Sequence, residues 1–226
     1  MCIRDRYTRV ALEKDNGPYI AVCPVNHTGD RHSPSAWKMT NAMPSWSWTG
    51  CEGQKACIEV YARAARVELW LNGHVIGRKA LKNDCLAKFS VPYEPGRLEA
   101  VSYDAQGCEL GRCTLTTAGQ QTQITAGPEQ SSVQAGHLCY IRLRYTDEKG
   151  ITKPLARGNI KVEVDGGTLV GLGNACPYHE RSYLDCVADT YYGEALAIVR
   201  AGEGNSLTLT ADDGTYSTAV TVPVTH

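Results

Sequence analysis

The sequence predicts an all-β protein built as two tandem β-sandwiches behind an irregular N-terminal segment. Three observations carry this. Short segments alternate apolar and polar residues with a period of two, the signature of half-buried strands. Twenty-two Gly and 10 Pro in 226 residues supply turn positions throughout. Runs of helix-forming Ala, Leu, Glu and Lys are scarce, and no segment shows convincing helical periodicity.

Residues 1–6, Met-Cys-Ile-Arg-Asp-Arg, match no pattern that follows and read as translated adaptor sequence rather than a natural start. Residues 7–50 read as irregular. They hold a short apolar run, Tyr19-Ile20-Ala21-Val22, and then three of the four tryptophans, Trp37, Trp46 and Trp48. So many large aromatics in a loop-like composition predict a segment packed on something else.

Residues 51–118 read as the first sandwich. Ile58 and Val60 alternate with Glu59 and Tyr61, and Val67, Leu69 and Leu71 alternate with Glu68 and Trp70. Asn72-Gly73 tolerates the positive φ of a two-residue hairpin turn, so the chain should reverse into His74-Val75-Ile76. Further strands are expected at Ala87–Val91, at Leu98–Tyr103 and near Cys113–Thr116. Turns every 8–12 residues or so indicate a sandwich. The small, polar Thr117–Gln121 marks the boundary. The second sandwich, residues 119–226, opens with Cys139, Ile141, Leu143 and Tyr145 on one face and Tyr140, Arg142 and Arg144 on the other. Strands follow at Ile160–Val164, Thr168–Leu172, Ala195–Arg200, Ser206–Ala211 and Thr218–Val224. Pro223 cannot donate to a ladder, which predicts a sheet edge there. Asn174–Asp189 is the one long loop, and long loops often carry function.

With 23 basic and 24 acidic residues, the chain lacks the basic excess of a nucleic-acid binder. No apolar run reaches the roughly 18 residues of a membrane helix. Ten cysteines without C-x-x-C spacing, several at apolar strand positions, read as mostly reduced thiols, pointing to a cytoplasmic setting. His27 and His32 near Cys23, and Cys176, His179 and Cys186 in the long loop, lack the paired spacing of a zinc site, so no metal or cofactor is expected. Motifs of serine hydrolases, zinc proteases, P-loops and dinucleotide binders are absent. Glycosidase chemistry needs two facing carboxylates, and 24 scattered acidic residues nominate no pair. Trp70 projects opposite Leu69 and Leu71, where it would stack on a sugar or, more commonly, pack against a neighbouring domain or lie under a loop.

The run Ser45-Trp46-Ser47-Trp48-Thr49-Gly50-Cys51-Glu52-Gly53, with Ile58–Tyr61, Val67–Gly73, Gly77-Arg78-Lys79 and Val91–Val101, resembles the region after the catalytic barrel in glycoside hydrolase family 2. In β-galactosidase-like members this is an immunoglobulin-like module, and the second domain resembles the next module through Gly171-Leu172-Gly173-Asn174 and Tyr192–Ala201. One departure is Ala175-Cys176-Pro177, where many relatives have Gly-Asp-Pro. The resemblance implies that the catalytic glutamates lie in a barrel outside this chain, and no residue here matches either catalytic motif.

The expected function is therefore the non-catalytic C-terminal portion of a family 2 glycosidase acting on β-galactosides. It would serve as scaffold and interface for the barrel, with Trp37, Trp46, Trp48 and Trp70 as docking or sugar-contact residues. Two alternatives stand beside it: a carbohydrate-binding sandwich, and an adhesin-like immunoglobulin repeat. No nucleic acid or membrane is expected as a partner.

Overall fold

The computed structural model describes residues 9–10, 12, 15–29, 40–81, 85–178 and 181–226. Residues 1–6 and Trp37 lie outside them. The chain forms two compact units, Met1–Thr117 and Ala118–His226, and the architecture is all-β sandwich.

The first unit contains β1 (Tyr19–Val22), β2 (Lys55–Tyr61), β3 (Arg66–Leu71), β4 (His74–Ala80), β5 (Leu86–Pro92), β6 (Arg97–Tyr103) and β7 (Glu109–Thr116). They make a three-stranded sheet, β1-β2-β5, and a four-stranded sheet, β4-β3-β6-β7. Alternation places Val67, Leu69, Leu98 and Ala100 inside from one sheet, and Ile20, Ile58 and Val60 are buried from the other. The Asn72-Gly73 turn forms as expected, with φ of 51° and 85°. Its Asn72 side chain does more than tolerate the turn. The carboxamide donates to Glu94 Oε1 (2.9 Å) and the Pro95 carbonyl (3.1 Å), and accepts from the Arg97 amide (2.9 Å). Gly96 (φ 137°) makes room for it, because a Cβ there would overlap the Asn72 carboxamide.

Part of the N-terminal segment, read from the sequence as irregular, is a strand. Tyr19–Val22 pairs antiparallel with β2, from Tyr19↔Tyr61 to Val22↔Ile58, and Val22 exchanges backbone hydrogen bonds with Met43 (2.8 and 2.9 Å). Four residues are too few for a period of two to stand out, so pairing with β2 supplies what local pattern lacks.

The second unit contains β8 (Gln123–Pro128), β9 (Val133–Gln134), β10 (Leu138–Thr146), β11 (Asn159–Asp165), β12 (Gly167–Gly173), β13 (Val187–Asp189), β14 (Glu194–Ala201), β15 (Ser206–Asp212) and β16 (Ser217–Thr225). They form the sheets β12-β14-β10-β8 and β13-β11-β15-β16-β9. The core takes Cys139, Ile141, Leu143 and Tyr145 from β10, Ala195, Ala197 and Val199 from β14, and Ile160, Leu207, Leu209 and Val222 from the facing sheet. Pro223 pairs with Ser206 on one side, while β9 joins β16 in parallel only from Val224 onward. The missing donor thus falls just before the paired stretch of a strand that is not at the edge along its full length.

Candidate functional site

The tryptophans were the leading sequence candidates, and the structure corrects two of them. Trp46 and Trp48 are both fully buried, so neither offers a surface for docking or for a sugar. Trp46 Nε1 donates to the Glu94 carbonyl (2.9 Å), its ring meets Tyr93 edge-on at 4.8 Å, and its carbonyl accepts from Thr117 Oγ1 (2.6 Å). The Trp48 amide donates to the Tyr93 hydroxyl (3.0 Å) and its Nε1 to the Ser45 carbonyl (3.3 Å). Every polar atom these indoles bury thus has a partner within the first unit, which is how a core aromatic is accommodated. Trp70 is half-buried on β3, opposite Val75 and Glu99 in register. Its indole N–H is enclosed without an acceptor.

The structure brings together a different set of side chains on the outer face of the β12-β14-β10-β8 sheet. A cleft of about 470 Å³ opens there. Leu196 and Ile198, the outward residues of β14, form its floor. They stand opposite Gly173 and Gly171 in register, so no side chain rises from β12 at those two positions. Tyr183, arriving from the long loop, occupies the space this leaves: a Cβ on Gly173 would overlap its ring. Its carbonyl also accepts from the Leu172 amide (2.8 Å), which pins the loop to the strand. Asn174 closes the loop's base, donating to the Asp189 carbonyl (2.9 Å) and carboxylate (2.8 Å) while accepting from the Cys176 amide (2.8 Å).

One end of the cleft carries opposite charges. The turn Tyr191-Tyr192-Gly193-Glu194 has positive φ at Tyr192 (50°) and Gly193 (74°), and it sets Tyr191 and Glu194 side by side across a two-residue bridge. Arg142 of β10 stands opposite Leu196. Its guanidinium lies 4.0 Å from Glu194 and 2.9 Å from Glu129. All three charges are substantially exposed, so these pairs contribute at most about 1 kcal/mol each.

The buried carboxylates, and the half-buried Asp213, are committed elsewhere. Glu59 accepts from the Tyr61 hydroxyl (2.5 Å) and pairs with Lys88 (3.3 Å). Glu68 holds Arg66 (3.0 Å) and Arg78 (2.9 Å), and Glu99 holds Arg97 (2.9 Å) and Arg112 (3.1 Å). Asp147 is lowered from the usual carboxylate range: burial pushes it up, but amide N–H bonds from Gly119, Ile151 and Lys149 outweigh that. Asp213 is lowered likewise. Burial raises it, and the Tyr145 hydroxyl and the amides of Tyr216 and Thr215 overcome the effect. A glycosidase acid needs the opposite perturbation. Of the metal-site candidates, His32 and His179 lie outside the described residues. Among the described residues no three His, Cys, Asp or Glu side chains group to hold a metal.

Sequence reasoning singled out the Asn174–Asp189 loop but not Tyr183, Tyr191, Arg142 or Glu194. The recoverable signal was Gly171 and Gly173 within a strand, since an isolated strand glycine often marks a close approach.

Two family descriptions match the chain. "Domain of unknown function (DUF4982)" covers residues 53–111 and "Glycoside hydrolase family 2 C-terminal domain 5" covers residues 123–221. A solved glycosyl hydrolase family 2 member from Bacteroides cellulosilyticus is 30% identical, with a TM-score of 0.84 over 97% of this chain and 30% of its own. A β-glycosidase from Bacteroides vulgatus shares the fold at 21% identity, with a TM-score of 0.74 over 95% of this chain and 26% of its own. A Formosa agariphila protein provisionally named as a β-glucuronidase is 34% identical over 90 residues, which is 38% of this chain and 9% of that protein. The chain thus spans less than a third of the length of each of these relatives.

Proposed function

Because this chain is a C-terminal region of glycoside hydrolase family 2, we propose that it is the non-catalytic scaffold of a larger glycosidase, held against that enzyme's catalytic barrel. The observation that carries this reading is the match of residues 123–221 to a family 2 C-terminal domain, together with 30% identity to a family 2 member across nearly the whole chain. The state of the carboxylates supports the non-catalytic part. Glu59, Glu68 and Glu99 are each engaged by cations, and Asp147 and Asp213 are held ionised by hydrogen bonds. None is prepared to protonate a leaving group.

The reaction proposed for the whole enzyme is hydrolysis of β-linked O-glycosides. The β-galactosidase-like sequence motifs favour β-galactosides. The provisional β-glucuronidase name of the Formosa agariphila relative supports β-glucuronides as a second reading. Reconstitution tests the scaffold role: the barrel encoded with this chain, produced separately, should form a one-to-one complex with it and gain thermal stability. A barrel whose stability and activity are indifferent to the chain would overturn the proposal.

A further inference from the structure

We propose that Cys23 and Cys57 are a redox-responsive pair, two thiols that a low-molecular-weight disulfide converts into a cross-strand disulfide stapling β1 to β2. Such a site stands whether or not the chain serves a glycosidase.

β1 and β2 run antiparallel, and their register ends with Val22 opposite Ile58. The next residue on each side is a cysteine. The Cys23 amide donates to the Cys57 carbonyl at 2.9 Å, so the ladder carries on through the two cysteines and sets them directly opposite. Opposed residues of an antiparallel pair point to the same face. Where they are hydrogen-bonded their Cα atoms lie about 5.5 Å apart, inside the span of about 4.4–6.8 Å that a disulfide bridges. Among the described residues the strand registers oppose no other two cysteines. Cys57 meets Ser90 on its other side, Cys113 meets Ala100, and Cys139 meets Val199. Both thiols of the pair are half-buried, so a small oxidant can reach them where it could not reach the fully buried Cys139.

The chemistry is two successive exchanges. The Cys57 thiolate attacks one sulfur of the small disulfide; that S–S bond breaks, a mixed disulfide forms on Cys57, and one small thiolate leaves. The Cys23 thiolate then attacks the Cys57 sulfur and expels the second small thiolate. Two cysteine thiols are oxidised, one small disulfide is reduced to two thiols, and the protons given up by the cysteines end on the leaving thiolates. Cys57 is the point of entry because little of Cys23 is thiolate near neutral pH: burial first, then the charges of Glu59 and Cys57, raise its thiol to about 11. Once Cys57 carries the mixed disulfide its own charge is gone, and the sulfur that Cys23 must attack sits on its cross-strand neighbour. Opposed Cβ atoms in a sheet lie about 4.5–5.5 Å apart, against about 3.5–4.5 Å in a disulfide. Closure must therefore draw the strands together, and a bridge made at that cost is readily reduced again. While closed it holds the edge strand β1, and with it Met43, which exchanges backbone hydrogen bonds with Val22.

The test incubates the reduced, folded 226-residue chain with glutathione disulfide, alkylates the remaining thiols, and maps the products by proteolysis and mass spectrometry. The Cys23 and Cys57 peptides should be recovered joined, and dithiothreitol should part them. The exposed Cys108 and Cys186 should take up glutathione singly, which shows that the oxidant is active. Oxidation should raise the unfolding midpoint of the first unit by about 5 °C or more and leave that of the second unchanged. Cys57→Ser should abolish both the linkage and the rise, and Cys23→Ser should leave glutathione on Cys57. Should either variant fail to fold, the peptide map of the unsubstituted chain decides by itself. Glutathione resting on Cys57 with Cys23 still open to alkylation overturns the inference. So does an unlinked pair when Cys108 and Cys186 are fully modified, or a linkage that forms only in denaturant.

Discussion

Replacing Trp46 by Ala removes one of the largest fully buried side chains of the first unit. A tryptophan buries on the order of 200 Å², which at about 25 cal/mol per Å² is near 5 kcal/mol of transfer free energy. Alanine retains a fraction of this. Against that, the edge-on contact with Tyr93 at 4.8 Å is lost, and the Glu94 carbonyl loses its donor. Tryptophan-to-alanine changes in cores cost about 3–5 kcal/mol, and we expect about 4 kcal/mol here. That is a large share of the 5–15 kcal/mol or so that stabilises an ordinary domain. Hydrogen exchange resolved by strand is the fitting assay. Amides of β2, β3 and β6 should lose protection by the full amount, while those of β10 and β14 should not change. Trp46→Phe keeps a ring but leaves the Glu94 carbonyl without its indole donor, and should cost about 1–3 kcal/mol. A loss below about 1 kcal/mol for Trp46→Ala would refute the core assignment and return Trp46 to the role of a surface anchor.

Gly96→Ala should destabilise the first unit by more than about 1 kcal/mol, because φ is 137° and the new methyl would displace the Asn72 carboxamide; denaturant midpoints check this. Lowering the pH through and below about 4 should weaken the second unit, since Asp147 and Asp213 have folded-state values below their unfolded ones, so the stability they confer is present above that pH and lost as they protonate. Asp147→Asn should flatten that dependence in acid denaturation curves. Thiol titration after unfolding without reductant should find at least the nine free cysteines of the described residues. In the folded protein Cys23 should react slowly, because burial, reinforced by the charge of Glu59, raises its thiol to about 11.

Elements that alternate cleanly were legible in the sequence. β10 follows its apolar face residue for residue, and Asn72-Gly73 marks the β3–β4 hairpin where the structure has it. β9 and β13, of two and three residues, exist only through the strands they pair with, so local pattern could not announce them. The tryptophans show the same boundary from the other side. Their number signalled a need for burial, but the partners of Trp46 lie 47 to 71 residues further along the chain. Nothing local distinguishes a loop packed on its own sandwich from one packed on a neighbour. The cleft was half legible: the long loop stood out, whereas the seat of Tyr183 depends on an absent side chain at Gly173.

We propose that this chain belongs to a glycosidase without carrying its chemistry. The most direct measurement is hydrolysis of 4-nitrophenyl β-galactoside and 4-nitrophenyl β-glucuronide by the pure 226-residue protein. The account predicts no release of nitrophenol above buffer for either substrate. Turnover that a single Glu→Gln or Asp→Asn substitution abolishes would contradict it.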